Sequence, residues 1–178
     1  MKLWLCIGLM ALSASSPAAQ ASRDASRSFE SAYKDRLVVL KQTLHSIASP
    51  CSLGGPRYVM TRGTLILTPD NGAFHSAFFG TKSIRDRDPA KLWEKGAAET
   101  QISSPGGPKL LKHEPGTKMR MTVQVHDNAV RVLLYDELAD RDHDPSTSIE
   151  IQWPQKFSRT FTERTQIEEM LAAYLVIP

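Results

Sequence analysis

The sequence predicts a single α+β domain: an antiparallel sheet of about five strands, built from two hairpins and one further strand, packed by N-terminal and C-terminal amphipathic helices. Three observations carry this. Apolar and polar residues alternate from Lys118 to Val125 and return from Ala129 to Asp136 across a turn at Asp127-Asn128. Apolar residues recur at helical spacing from Phe29 to Ile47 and again from Ile167 to Leu175. Finally, Pro69-Asp70-Asn71-Gly72 supplies turn chemistry between two runs rich in β-branched and aromatic residues.

The chain opens with a leader. Lys2 precedes an apolar run from Leu3 to Leu12, followed by small and polar residues ending at Ala19-Gln20-Ala21. The run is about half the roughly 20 residues that a membrane-spanning helix needs, and Ala-x-Ala is a cleavage site, so residues 1–21 read as a signal peptide cleaved after Ala21. Residues 22–178 are then the single domain, with no second apolar run long enough to span a bilayer. Cys6 is lost with the leader. Cys51 alone permits no internal disulfide, so its thiol is either buried or available for an intermolecular disulfide. Neither Asn71 nor Asn128 begins an Asn-x-Ser/Thr acceptor, which favours a bacterial export route. The expected location is periplasmic or secreted.

Each element follows from local pattern. Phe29, Tyr33, Leu37, Leu40, Leu44 and Ile47 make one apolar stripe, predicting a first helix from Asp24 to Ser49 that Pro50 and Gly54-Gly55-Pro56 stop. Tyr58 to Thr68 and Ala73 to Thr81 form the first hairpin, with Phe78 and Phe79 on opposite faces. Asp88 caps a short helix with Pro89 in its first turn, where a missing N–H costs nothing; it carries Leu92 and Trp93 and ends near Gly96. Ser103 to Gly116 reads as loop. Met119, Met121, Val123 and Val125 point inward on the second hairpin, as do Val130, Val132 and Leu134 on its return. Ser148 to Trp153 is the fifth strand, with Ile149 and Ile151 inward. Thr160 caps the last helix, with Glu163 reaching back to it, and that helix runs nearly to the chain end. Sheet curvature depends on bulges, which this pattern does not encode.

Chemistry is thinner. The net charge is +3, and removing Lys2 lowers it by one, too weak a balance to predict nucleic-acid binding. Asp140, Asp142 and Asp144 alternate around His143, but Pro145 stands where a calcium loop of the helix-loop-helix type needs glycine, and Ile151 stands where it needs glutamate. What remains is a looser metal site or a solvated turn. His45, His75, His113, His126 and His143 include no pair at zinc-ligand spacing. There is no G-x-S-x-G elbow, and Gly54-Gly55 and Gly106-Gly107 are each followed by proline, which rules out a phosphate-binding loop. Basic residues gather at Arg57, Arg62, Lys82, Arg85 and Arg87 and at Lys109, Lys112, Lys118 and Arg120. Among these, Arg57, Arg62, Lys118 and Arg120 are the ligand-binding candidates if the sheet brings them to one side.

The resulting expectation is an exported, non-catalytic binding or accessory protein of the cell envelope, with no cofactor, an unknown envelope component as partner, and no nucleic acid. The alternatives are a metal-assisted hydrolase using the Asp140 to Asp144 loop with His143 or His126, and a self-assembling structural subunit.

Overall fold

The first helix ends much sooner than its apolar spacing predicts. The computed structural model describes residues 17–50, 59–61, 63–70, 72–79, 82–100, 109–137 and 145–178. In it α1 covers Pro17–Ala32, and the chain then turns at Asp35, whose φ of 55° lies in the left-handed region, incompatible with a continuing helix. Leu37-Val38-Val39-Leu40 follows, and β-branched residues favour a pleated strand. The expected helix from Asp24 to Ser49 is thus replaced by the end of α1, β1 at Arg36–Leu40 and β2 at Leu44–Pro50. Burial along β1 has the period of a strand, with Val38 and Leu40 buried and Leu37 exposed.

The segment from Tyr58 to Thr68, expected as one strand, serves two sheets. β3, Val59–Thr61, pairs with β2, while β4, Gly63–Thr68, begins a different sheet. Gly63 makes the crossing possible, because a Cβ there would stand 3.0 Å from the Ile47 backbone nitrogen of β2. β4 and β5 (Gly72–Phe79) form the expected hairpin, with Leu65 opposite His75 and Leu67 opposite Ala73. Then β6, Lys82–Asp86, adds an edge strand that the sequence pattern missed. α2, Pro89–Thr100, is capped as expected: the Asp88 carboxylate accepts the Ala90 N–H at 2.9 Å. Gly96 does not end it. A Cβ at Gly96 would lie 2.1 Å from the Phe79 ring, so this glycine lets the helix settle onto β5.

The loop expected from Ser103 to Gly116 contains β7, Lys109–His113, which pairs with β2. β8 (Lys118–Val125) and β9 (Ala129–Asp136) form the second hairpin, with Met121 opposite Leu134 and Val123 opposite Val132. β10, Thr147–Gln152, is antiparallel to β9 yet parallel to β4, with Ile149 beside Leu65. α3 begins at Arg164 instead of Thr160 and ends at Ala172. The Glu163 carboxylate accepts from the Ser158 N–H and hydroxyl at 2.8 and 2.9 Å, so the reach-back exists with a different partner. The chain then leaves the helix as β11, Leu175–Val176, which pairs with β1.

The five-stranded antiparallel sheet is therefore corrected to a mixed, eight-stranded sheet of order β11-β1-β8-β9-β10-β4-β5-β6 and a three-stranded sheet β3-β2-β7. The α+β class stands. Hairpin logic fails where neighbours are distant in sequence, as in β10 beside β4 and β11 beside β1. One face of the large sheet carries the core: Val38, Met119, Met121, Val132, Ile149 and Leu65 meet Phe29 of α1, Tyr33 just past it, and Ile167 and Leu171 of α3. Phe29 packs edge-on against Tyr33 at 4.9 Å and Phe161 at 5.2 Å. Each such apolar side chain contributes about 1.5–3 kcal/mol by leaving water. A second, smaller cluster of Ile47, Ala77, Phe79 and Leu92 joins β2, β5 and α2 at the β6 end of the same face.

Candidate functional site

Strand alternation fixes what the other face of the large sheet displays. Because Met119, Met121 and Val123 point into the core, Lys118, Arg120 and Thr122 point away from it. Arg120 lies opposite Tyr135 on β9 and Leu37 on β1, and Thr122 opposite Leu133. The turn after α1 brings Lys34 and Asp35 beside them. Together Lys34, Asp35, Arg120, Thr122 and Tyr135 line a cavity of about 300 Å³, the lower end of the size range of small-ligand sites. Leu37, 48% exposed, and Val176, 47% exposed, flank it, and exposed Lys118 lies across from Val39. Cationic and apolar groups thus share one surface, with a phenol between them.

Further along the same face, Arg131 grips Glu150 through two nitrogens at 3.1 and 2.9 Å, and Gln152 donates to the other oxygen at 2.7 Å. Burial opposes ionisation of Glu150, yet the Gln152 and Arg131 bonds outweigh it and hold the carboxyl below its ordinary range. Phe78, 59% exposed, is the outward member of the Phe78-Phe79 pair, and Phe79 is buried.

Of the residues singled out in the sequence, Lys118 and Arg120 stand two apart on β8, on this face. Arg57, Arg62, Cys51, Asp140, Asp142, His143 and Asp144 lie outside the described residues. Among the described residues, no three His, Cys, Asp or Glu side chains are grouped so as to hold a metal ion. His126 borders a wider cleft of about 760 Å³ between α1 and the β8–β9 turn. Its acids are engaged: Glu30 accepts the Val125 N–H at 2.7 Å, and Asp127 pairs with Lys156 at 2.6 Å.

A second cluster, at the junction of the two sheets, has no signature in residue spacing. His45 of β2 meets His75 of β5 edge-on, ring centres 5.8 Å apart, and His113 of β7 lies 3.1 Å from the Ser46 hydroxyl. Burial is the main cause that holds all three imidazoles below their ordinary value. Sequence spacing cannot reveal such a group, because each histidine comes from a different strand and β7 read as loop. Ser46 with His113 resembles half of a nucleophilic pair. Ser46 is only 1% exposed, however, and the space beside it is about 10 Å³, room for one water. A substrate does not reach that hydroxyl in this conformation.

No protein-family model, curated protein or solved structure matches this chain.

Proposed function

We propose that this chain is an exported, non-catalytic accessory domain of the cell envelope, and that the β1–β8–β9 part of the sheet face opposite α1 and α3 docks onto an anionic lipid surface. One observation carries the reading. Among the described residues, α1, α3 and the three-stranded sheet all pack on the same face of the large sheet, while the other face sets Lys34, Lys118 and Arg120 among Leu37, Val176 and Tyr135. Basic side chains near an anionic bilayer contribute about 1 kcal/mol each, and exposed apolar groups add to that by entering the headgroup region. The leader at residues 1–21 supports export to a compartment where such surfaces exist. No helix among the described residues is long and apolar enough to cross a membrane. Surface docking requires none.

The test is partition onto vesicles. The protein is expected to co-sediment with phosphatidylglycerol vesicles and not with pure phosphatidylcholine, and binding is expected to weaken as salt shortens the screening length. Lys34→Ala and Lys118→Ala should each lower the partition coefficient about fivefold, and the double variant about twenty-five-fold. Equal binding to both lipids, or an unchanged double variant, would overturn the reading.

A further inference from the structure

The junction of the two sheets is chemically separate from the open face and carries its own consequence. His75 has one ring N–H engaged by the Arg87 backbone carbonyl, while its Nδ1 is buried with no hydrogen-bond partner among the described residues. That lone pair is where a proton would add. The adjoining space, bordered by His45, Ser46, Gly63 and Pro89, has room for a single water, so a new imidazolium would gain at most one water in place of the full hydration it has in solvent.

We propose that this junction is an acid-opened latch, in which proton uptake by His45 and His75 releases the three-stranded sheet and α2 from the large sheet. The surrounding charges do not neutralise such protons. Facing His45 are Lys112 and His113 of β7, which disfavour its charge, and Glu114 just past β7, which favours it but is drawn to Lys112 at 2.8 Å. Asp88, before α2, lies within electrostatic reach of both rings, yet its carboxylate is occupied capping α2 through Ala90. Asp86, opposite His75 on β6, is committed to Lys95 of α2 at 2.6 Å. Asp136 of β9 and the Ser146 backbone favour charge on His113, and burial outweighs both. The start of α2 at Pro89 adds the positive end of a helix dipole.

With the latch closed, the histidines stay neutral below the pH where an exposed histidine ionises. In the opened form they titrate at their ordinary value near 6.5. Opening is therefore unassisted above that pH and increasingly favoured as pH falls below it. Between pH 7.5 and 5.5 each such histidine raises the opened fraction by up to about tenfold, and the pair by up to about a hundredfold. The parts released rest chiefly on the smaller cluster of Ile47, Ala77, Phe79 and Leu92, with Leu44 at the start of β2 as their one tie to the large core among the described residues, whereas β8, β9 and β10 belong to that core and stay closed.

Hydrogen exchange on the full chain at pH 7.5, 6.5 and 5.5, corrected for the intrinsic pH dependence of exchange, tests the latch. Amides of β2, β7 and α2 should lose ten- to a hundredfold protection while those of β8, β9 and β10 keep theirs. In the double variant His45→Gln/His75→Gln that selective loss should disappear. Loss of protection spread evenly over the chain, no loss at all, or an unchanged pH dependence in the double variant would each overturn it. Should the double variant fail to fold, the nuclear magnetic resonance titration of His75 in the unaltered protein decides. A midpoint clearly below 6.5 supports the latch, and one at or above 6.5 refutes it.

Discussion

Phe161 concentrates a conflict in one residue. Its φ of 51° is left-handed, which costs a non-glycine residue about 1–2 kcal/mol, yet the side chain is buried between Phe29 and Phe157, 5.2 and 5.1 Å from their ring centres. Ring packing therefore offsets backbone strain. Phe161→Ala should cost about 3–5 kcal/mol in a denaturant melt. Phe161→Gly should cost about 1 kcal/mol less than alanine, the reverse of their usual order in helices and strands, because glycine accepts that φ freely. A glycine variant less stable than the alanine variant would contradict this account of the turn. Glu163, two residues on, supplies a pH effect. Burial raises its carboxyl, but the Ser158 N–H and hydroxyl, with Thr162, bring it below the ordinary value. Its contribution is thus present above about pH 4.5 and is lost as pH falls through the lower folded value. Glu163→Gln should flatten the acid limb of the stability curve below that pH.

At the level of elements, β11 matters more than its two residues suggest. It covers the outer edge of β1, buries Leu175, and ends near the contact between the Arg36 guanidinium and the Pro178 carbonyl. Removing Leu175 to Pro178 should cost about 1.5–3 kcal/mol for Leu175 alone and leave β1 as a bare edge prone to self-association. The checks are a denaturant melt and light scattering. The strand was illegible in the sequence because Leu175 continues the helical spacing of Ile167 and Leu171, and two residues carry no period of their own. The first helix failed for a related reason: Leu40, Leu44 and Ile47 match a helical stripe by number while lying on strands, and the left-handed turn at Asp35 leaves no mark on hydrophobic spacing. By contrast, β8, β9, β10 and the Asp88 cap were legible, since alternation and capping are local physics. The candidate site was legible only through Lys118 and Arg120. The remaining wall, Lys34 and Tyr135, depends on which strands become neighbours.

For the whole molecule, the arrangement divides labour between two faces of one sheet. The inner face holds the core and the histidine junction, and the outer face carries Leu37, Lys118 and Arg120. Export itself is testable: expressed in a bacterium, the chain is expected to appear outside the cytoplasm with a mass corresponding to cleavage after Ala21, and a cytoplasmic product of full length would remove the envelope setting. Cleavage there would leave α1 its buried contacts, which come from Phe29 and, just past the helix end, Tyr33. The pairing of β1 with β11, and of β4 with β10, also sets an order in time. An exported chain crosses N-terminus first and threaded, so β1 and β4 emerge long before their partners at Leu175–Val176 and Thr147–Gln152. The large sheet can close only after β10 and β11 have arrived, so in an exported chain folding would follow transport. Until then the chain depends on staying unfolded without aggregating.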